Sequence, residues 1–119
     1  MDKMQVKNSV LKTSYYCQSI YTSINLFNDF VEKRKYLMLD NLLIKIIDDI
    51  SQCIRFYSTI NENLCIIDTI NSKLKLIVDG YENRDYFYIR DVFEYEIIRN
   101  IEDIFKEIKF NIENEVYDI

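Results

Sequence analysis

The stretch DGYENRDYFYIRDVFEYEI (79–97) decides the fold, because it contains both the end of one helix and the start of the next. Gly80 is the only glycine in the chain. Helices commonly end next to a glycine, since glycine tolerates the positive φ of the residue that follows the last helical turn. Asp85 is suited to cap the following helix, because its carboxylate can accept hydrogen bonds from free backbone N–H groups. The stretch therefore predicts a helix–turn–helix corner.

Apolar residues recur every three or four positions on both sides of this corner, which is the pattern of α-helices with one buried face. They form four stripes. These are Tyr16, Cys17, Ile20, Ile24, Phe27 and Val31; Leu39, Leu42, Leu43, Ile46, Ile50, Cys53 and Tyr57; Ile66, Ile67, Ile70, Leu74, Ile77, Val78 and Tyr81; and Tyr86, Phe93, Ile97, Ile101, Ile104 and Ile108. The chain has no proline, so few residues interrupt a helical pattern.

The stripes predict a single domain over residues 9–119, preceded by a flexible N terminus over residues 1–8. Its predicted helices span residues 9–32, 36–58, 62–79 and 85–115. The connections between them are short, and short connections make consecutive helices antiparallel. We therefore expect an all-α protein folded as an antiparallel up-down-up-down four-helix bundle.

A shift of fifty residues aligns the segment DFVEKRKYLMLDNLLIKII (29–47) with the stretch at 79–97. The identical residues are Asp29, Glu32, Arg34, Tyr36 and Ile47, which fall on Asp79, Glu82, Arg84, Tyr86 and Ile97; the apolar pairs are Ile20 with Ile70, Ile24 with Leu74, Leu43 with Phe93, and Ile54 with Ile104. Chance in a biased composition and duplication of one αα-hairpin both explain such a match. In either case it predicts that the two hairpins turn in the same way.

The charge balance and the cysteines limit the partners and the compartment. A net charge of −5 argues against nucleic acid, because phosphate binding needs a basic face. No apolar segment reaches the roughly 20 residues that span a bilayer, and the first residues lack the apolar part of a signal peptide. Cys17, Cys53 and Cys65 are odd in number and lack paired spacing, as in a reducing compartment. We expect a cytoplasmic protein that binds neither nucleic acid nor membrane.

Few residues are available for catalysis. The chain has no histidine, which removes the commonest general base and metal ligand, and one glycine cannot form a phosphate-binding loop. The carboxylates that remain as candidate Mg²⁺ ligands are Asp48, Asp49, Glu94, Glu96, Glu102 and Asp103. Asp48, Glu96 and Glu102 point away from the apolar stripes, which favours solvated acidic faces. We expect no enzymatic activity, cofactor or metal; the alternative is a small carboxylate-dependent Mg²⁺ enzyme or a nucleotide-binding helical protein.

One charged pair lies close to the predicted core. Arg90 falls near the centre of the fourth stripe, and Glu94 follows one turn later at its edge. Residues four positions apart on a helix are within ion-pair reach, and removing one member of a buried pair leaves the other charge unpaired. We therefore predict an Arg90–Glu94 pair with a structural role; the alternative is a ligand-binding role.

Several large side chains lie off the apolar stripes. Tyr15 and Leu26 on the first helix, and Tyr88 and Tyr95 on the fourth, project outward. The first and last helices of an up-down bundle are neighbours, so these side chains can form one surface, and tyrosine-rich surfaces of low charge are typical of protein interfaces. Scattered exposure is the alternative. We predict a protein-interaction module, an adaptor or chaperone-like binder, that binds another protein or a second copy of itself.

The segment YENRDYFYIRDVFEYEI (81–97) resembles the C-terminal signature of an uncharacterised helical family of clostridia and bacilli. The matching residues are Glu82, Asn83, Asp85, Tyr86, Asp91, Val92, Phe93, Glu94, Tyr95 and Glu96. Residues 25–50 resemble the family more weakly, and members often carry a proline where this chain has Arg99 and Asn100. The resemblance implies a helical fold and no particular activity. Flagellin export chaperones are similar in architecture alone.

Overall fold

The computed structural model describes residues 2–61 and 64–114, with the side chains of 64, 111, 112 and 114 excepted, and it is all-α within these ranges. The helices are α1 (Lys3–Glu32), α2 (Leu39–Tyr57), α3 (Leu64–Glu82), α4 (Tyr86–Val92) and α5 (Ile98–Asn114), with a 3₁₀ turn at Tyr36–Met38 and a π-helical turn at Phe93–Ile97. The segments α4, π turn and α5 follow one another without a break, and together they are called the fourth helix. The predicted start of a helix at 62 and the predicted helix and domain ends at 115 and 119 lie outside the described residues.

The first helix begins earlier than predicted. Asp2 is its N-cap and accepts a hydrogen bond from the Gln5 backbone N–H at 2.8 Å, while the Gln5 side chain accepts one from the Asp2 N–H at 2.9 Å. This reciprocal arrangement is a capping box. Val6 and Val10 are buried one and two turns later. The prediction of a flexible N terminus was therefore wrong for residues 3–8, which are helical.

The turns that follow α1 and α3 have the same backbone structure. In the first turn the Lys35 N–H donates to the Phe30 carbonyl at 2.9 Å; fifty residues later the Asp85 N–H donates to the Gly80 carbonyl at 2.8 Å. The residues with positive φ are Arg34 (56°) and Arg84 (53°). Each turn thus has the long hydrogen bond and left-handed residue of a Schellman motif, and the second one ends at Asp85, the N-cap of α4.

Gly80 does not supply the positive φ of the turn, which corrects the prediction made for it; Arg84 does. Gly80 lies inside α3, which continues to Glu82, and its φ is not positive. A Cβ at this position would lie 2.8 Å from Cγ1 of Ile89 and 3.0 Å from Cδ2 of Tyr88. Gly80 is therefore required because α3 and α4 approach each other too closely for any side chain.

The predicted stripes account for most of the observed core. In α1, α2 and the fourth helix their members are buried, apart from Tyr16, Leu42 and Tyr86, which are partly buried. The third stripe was predicted less well. Ile70 and Ile77 are buried, but Val78 and Tyr81 are exposed at 47% and 44%. The apolar face of α3 is thus only partly covered.

The π turn explains how the two hairpins correspond. Up to its first residue, Phe93, buried residues match at a shift of fifty, as Leu43 does with Phe93. From its last residue, Ile97, onward the shift is fifty-one: the buried residues Ile46, Ile50, Cys53 and Tyr57 match Ile97, Ile101, Ile104 and Ile108. A π turn is one extra residue inserted into an α-helix. The predicted partner of Ile104 is therefore corrected from Ile54 to Cys53.

The helices pack unequally. α1 packs along α2 and along the fourth helix, whereas α3 packs mainly against α4 and the π turn. The backbones of α2 and α3 meet at isolated points at most. The Cα trace measures 46 × 23 × 20 Å. Within the described ranges, no helix combines the length and apolar character needed to cross a membrane.

Candidate functional site: an open seam between two helices

The two turns meet at one end of the molecule and border an open pocket of about 500 Å³, the corner pocket. It is lined by Tyr36, Leu37, Asp40, Arg84, Asp85, Tyr86 and Phe87. The rings of Tyr36 and Tyr86 stack with their centroids 5.9 Å apart. The Tyr86 hydroxyl donates to Oδ1 of Asp40 at 3.0 Å; its burial and this hydrogen bond raise the pKa of Tyr86. The repeat thus brings its two equivalent tyrosines into contact.

A groove of about 300 Å³, here called the open seam, lies between α2 and α3 next to this pocket. It is lined by Asp40, Leu43, Ile44, Ile47, Ile77, Val78 and Tyr81. Ile44 is 67% exposed, and Val78 and Tyr81 are also exposed. Asp40 borders both cavities. The open seam is therefore a mostly apolar groove whose outer residues are exposed to solvent.

The repeat provides a reference for this groove in the contact between α1 and the fourth helix, here called the closed seam. The closed seam consists of Phe27, Val31, Arg90 and Phe93, which stand where the open seam has Ile77, Tyr81, Asp40 and Leu43. The rings of Phe27 and Phe93 meet edge to face at 5.3 Å, and both are fully buried. The open seam has the smaller side chains of Ile77 and Leu43 at the positions of Phe27 and Phe93, and a groove remains between its two helices.

Arg90 lies at the edge of the closed seam, and its predicted partner was wrong. Its guanidinium lies 3.2 Å from Asp91, 3.7 Å from Glu32 on α1, and 5.2 Å above the Phe87 ring. Side chains in a helix lean toward its N terminus, which directs Arg90 toward Phe87 and away from Glu94. Glu94 is exposed. Arg90 therefore joins α4 to the end of α1.

The four residues predicted to form a binding surface are all exposed, at 65% for Tyr15, 44% for Leu26, 39% for Tyr88 and 60% for Tyr95. Tyr15 packs edge-on against Tyr16, whose ring is stacked with Phe56 of α2. Tyr88, on the fourth helix, lies against Gly80 of α3. These contacts place Tyr15 and Tyr88 beside different helices, and a shared surface stays a prediction.

The candidate metal ligands are dispersed. Asp48, Glu94, Glu102 and Asp103 are exposed and Glu96 is partly buried. Asp49 is buried, and its Oδ2 lies 2.7 Å from both the Lys45 ammonium and the Ser19 hydroxyl, which donates to it. This cluster ties α2 to α1. Over residues 2–61 and 64–114, no group of three or more acidic or cysteine side chains is placed to hold a metal ion.

The cysteines are free thiols. Sγ of Cys17 and Sγ of Cys53 lie 3.7 Å apart in the core between α1 and α2, as their stripes predicted. This contact and burial raise the pKa of Cys17. Cys65 is exposed. Cys17 is therefore held in the protonated, unreactive form.

Sequence reasoning missed the open seam because it assigned Val78 and Tyr81 to the core. The fifty-residue match contained a signal that would have revealed it. Phe27 corresponds to Ile77 and Phe93 to Leu43, so the second of two equivalent contacts has less side-chain volume to fill it. A difference in volume at equivalent packed positions indicates a cavity.

Comparison with known proteins gives a family and no relative of known activity. No curated protein and no solved structure matches the chain. A family model described as "Domain of unknown function (DUF8042)" matches residues 8–107, a range that contains both turns and both seams. The protein therefore belongs to the family described as a domain of unknown function, DUF8042.

Proposed function

We propose that the protein is a non-catalytic interaction module, an adaptor or chaperone-like binder, whose open seam receives an apolar segment of another protein or of a second copy of itself. The observation that carries this proposal is the exposure of Ile44, Val78 and Tyr81 along one groove. Contiguous exposed apolar surface is uncommon on monomers and marks interaction sites. A cytoplasmic location belongs to the same proposal, supported by the free thiols.

The proposal includes an antiparallel up-down-up-down four-helix bundle as the scaffold. Its support is the order of the contacts between helices, in which residue numbers rise on one helix as they fall on the other. The contacts are Ser19 with Asp49 and Ser23 with Lys45, Phe27 with Phe93 and Glu32 with Arg90, and Lys73 with Asn100 and Gly80 with Ile89. In such a scaffold α2 and α3 are neighbours, and the open seam is the groove between them.

The packing of α3 supports the proposal further. Among its described residues, the buried ones are Ile70, Ile77 and Gly80, fewer than in α2. Segments with few buried apolar contacts open at low free-energy cost. A shift of α3 would widen the open seam while α1, α2 and the fourth helix keep their shared core.

Affinity capture from the native host with three matched baits tests the proposal. Ile44→Asn changes an exposed residue of the open seam, and Tyr95→Asn makes the same kind of change on the fourth helix. We expect the wild type and Tyr95→Asn to retain a stoichiometric partner that Ile44→Asn loses. If Tyr95→Asn loses the partner and Ile44→Asn retains it, the binding site lies on the surface of the first and fourth helices and not at the open seam.

Self-association is tested separately by sedimentation of the same three proteins. If the partner is a second copy, the wild type sediments as a dimer and Ile44→Asn as a monomer. A dimer that persists in Ile44→Asn would place self-association outside the open seam.

A further inference from the structure

We infer that the occupant of the open seam is a basic amphipathic helix, which inserts two large apolar side chains into the groove and places lysine or arginine at its rim. This inference rests on the function proposed above and adds the chemistry of the partner.

The closed seam indicates what the open seam lacks. There the rings of Phe27 and Phe93 fill the contact, whereas Ile77 and Leu43 leave a cavity of about 300 Å³. A cavity of this size accepts side chains and leaves the backbone that carries them outside the groove. Residues three or four positions apart project from the same face of a helix, so an amphipathic helix supplies two apolar side chains together.

One carboxylate, that of Asp40, lines the groove, and helical spacing places two more beside its exposed wall residues. Asp40 and Asp48 lie one helical turn before and after Ile44 on α2, and Glu82 lies one turn after Val78 on α3. Among the described residues, no cation lies within ion-pair distance of any of these three carboxylates. A partner that brings cations to this rim gains pairs that the free protein does not make.

The cations near the rim do not neutralise it. Lys75 is the exposed cation on the α3 side, and Arg84 lines the corner pocket together with Asp40; neither forms an ion pair with Asp40, Asp48 or Glu82. Lys45 is 2.7 Å from Asp49, with which it forms an ion pair on the α1 side of α2. Complementary charge raises the rate of docking and rejects partners of like charge. The rim therefore selects a basic helix over an acidic one, and over phosphate-bearing surfaces.

A displayed peptide library tests this directly. The peptides are helix-forming, with apolar residues fixed at one face and Lys, Glu, Gln or Ser allowed at every other position. They are selected on the intact protein in low salt. Each enriched peptide is then measured against Ile44→Asn and against Leu43→Phe/Ile77→Phe, which fills the open seam as the closed seam is filled. Thermal melting checks that each variant is folded, and Ile44→Asn serves alone if the filled variant is not.

Three outcomes separate the inference from the proposed function. In the first outcome, the enriched peptides have a net positive charge and bind the seam variants at least about tenfold more weakly than the wild type, a loss of ~1.4 kcal/mol. This outcome supports both the basic partner and the proposed function. Neutral or acidic peptides with the same sensitivity to the seam variants overturn the basic partner and leave the proposed function standing. If no peptide is enriched, or if binding is unaffected by the seam variants, the open seam is not a binding site and both fail.

Charge variants then test the rim. Asp48→Asn and Glu82→Gln should each lower the affinity for a basic peptide about two- to fivefold in low salt. The effect should be smaller in high salt, because exposed charges interact modestly and are screened. Asp103→Asn, which removes an equal charge from an exposed position of α5, is the matched control and should have no effect. Equal weakening by all three variants would show that net charge, and not the rim, attracts the peptide, which overturns the inference.

Discussion

The closed and open seams are two versions of one contact, built from hairpins with the same turn and equivalent core positions. In the closed seam, Phe27 and Phe93 fill the space between α1 and the fourth helix. In the open seam, Ile77 and Leu43 do not, and α2 and α3 stay apart. The fourth helix also contains an extra residue in its π turn. The difference teaches that ring size at two equivalent positions decides whether such a contact is filled core or an apolar groove at the surface.

The largest expected effect concerns the extra residue. Deleting Tyr95 should convert the π turn into α-helix and keep Phe93 and Ile97 in the core, as Leu43 and Ile46 are in α2. The free energy of unfolding should then change by less than about 2 kcal/mol. Deleting Ser51 from the middle of α2 rotates Cys53 and Tyr57 out of the core by about 100°, which should remove most of a typical stability of about 5–15 kcal/mol. Urea denaturation measures both.

The outcome separates two accounts of the π turn. If the Tyr95 deletion unfolds the protein as the Ser51 deletion does, the π turn is not an insertion into a shared hairpin. The two seams would then not be equivalent, and the comparison between them would lose its basis.

Truncation of the packed side chains should cost more in the closed seam. Phe93→Ala leaves a large cavity among fully buried residues and should lower the free energy of unfolding by about 3–5 kcal/mol. Leu43→Ala, its equivalent, should cost about 2 kcal/mol, at the low end for such changes, because this side chain already borders a groove. Guanidinium denaturation curves supply both values. Equal losses would mean that Leu43 is as tightly enclosed as Phe93.

Filling the two seams should have opposite effects. Ile77→Phe places a ring next to the groove of the open seam and should raise the free energy of unfolding by about 1 kcal/mol, through added buried apolar area. Val31→Phe enlarges a fully buried residue of the closed seam and should lower it by about 1–3 kcal/mol, because a packed core has no space for the ring. Thermal melting distinguishes the signs. A destabilising Ile77→Phe would show that the groove is not available to a side chain of its own wall.

The sequence predicted the parts of this comparison that depend on local pattern. The period of three and four placed the core residues of α1, α2 and the fourth helix, since a helix with one buried face must repeat in this way. The side chain of Asp85 identified the start of α4 for a similarly local reason. Both properties are set within one or two helical turns.

The features that sequence reasoning missed depend on neighbours in space. The period shows that Val78 and Tyr81 lie on the apolar face of α3 but not whether another helix covers them. Gly80 fits a helix end and a close helix contact equally well, and Glu32, which pairs with Arg90, comes from a distant part of the chain. The π turn is hidden because Phe93 and Ile97, four residues apart, also fit an ordinary α-helix. The apolar periodicity alone therefore could not reveal the open seam; the only sequence signal for it was the smaller side chains of Leu43 and Ile77 at the positions equivalent to Phe93 and Phe27.

A polar defect on α1, next to Phe27 in the chain, gives a smaller prediction. Oδ1 of Asn28 is buried without a hydrogen-bond partner, and the equivalent residue of the open seam is Val78. Asn28→Val should raise the free energy of unfolding by about 1 kcal/mol, because an unsatisfied buried oxygen is removed. Asn25→Val makes the same exchange at an exposed position of the same helix, so the change in intrinsic helix propensity is equal. It should change the free energy of unfolding by less than about 0.5 kcal/mol. Equal melting temperatures for the two variants would show that Oδ1 of Asn28 reaches solvent.

The smallest expected effect concerns Tyr86, whose hydroxyl joins the fourth helix to Asp40 at the rim of the open seam. Burial and this hydrogen bond raise the pKa of Tyr86, so the folded state holds the phenol proton more tightly than the unfolded state does. The resulting stability is fully present below the ordinary tyrosine pKa of about 10 and is lost as pH rises through the higher folded value. The wild type should therefore melt above Tyr86→Phe at neutral pH, and this difference should shrink only in the alkaline range. Comparing the two proteins cancels the ionisation of the other tyrosines. A difference that stays constant through the alkaline range would mean that the Tyr86–Asp40 bond does not hold the corner to the open seam in solution.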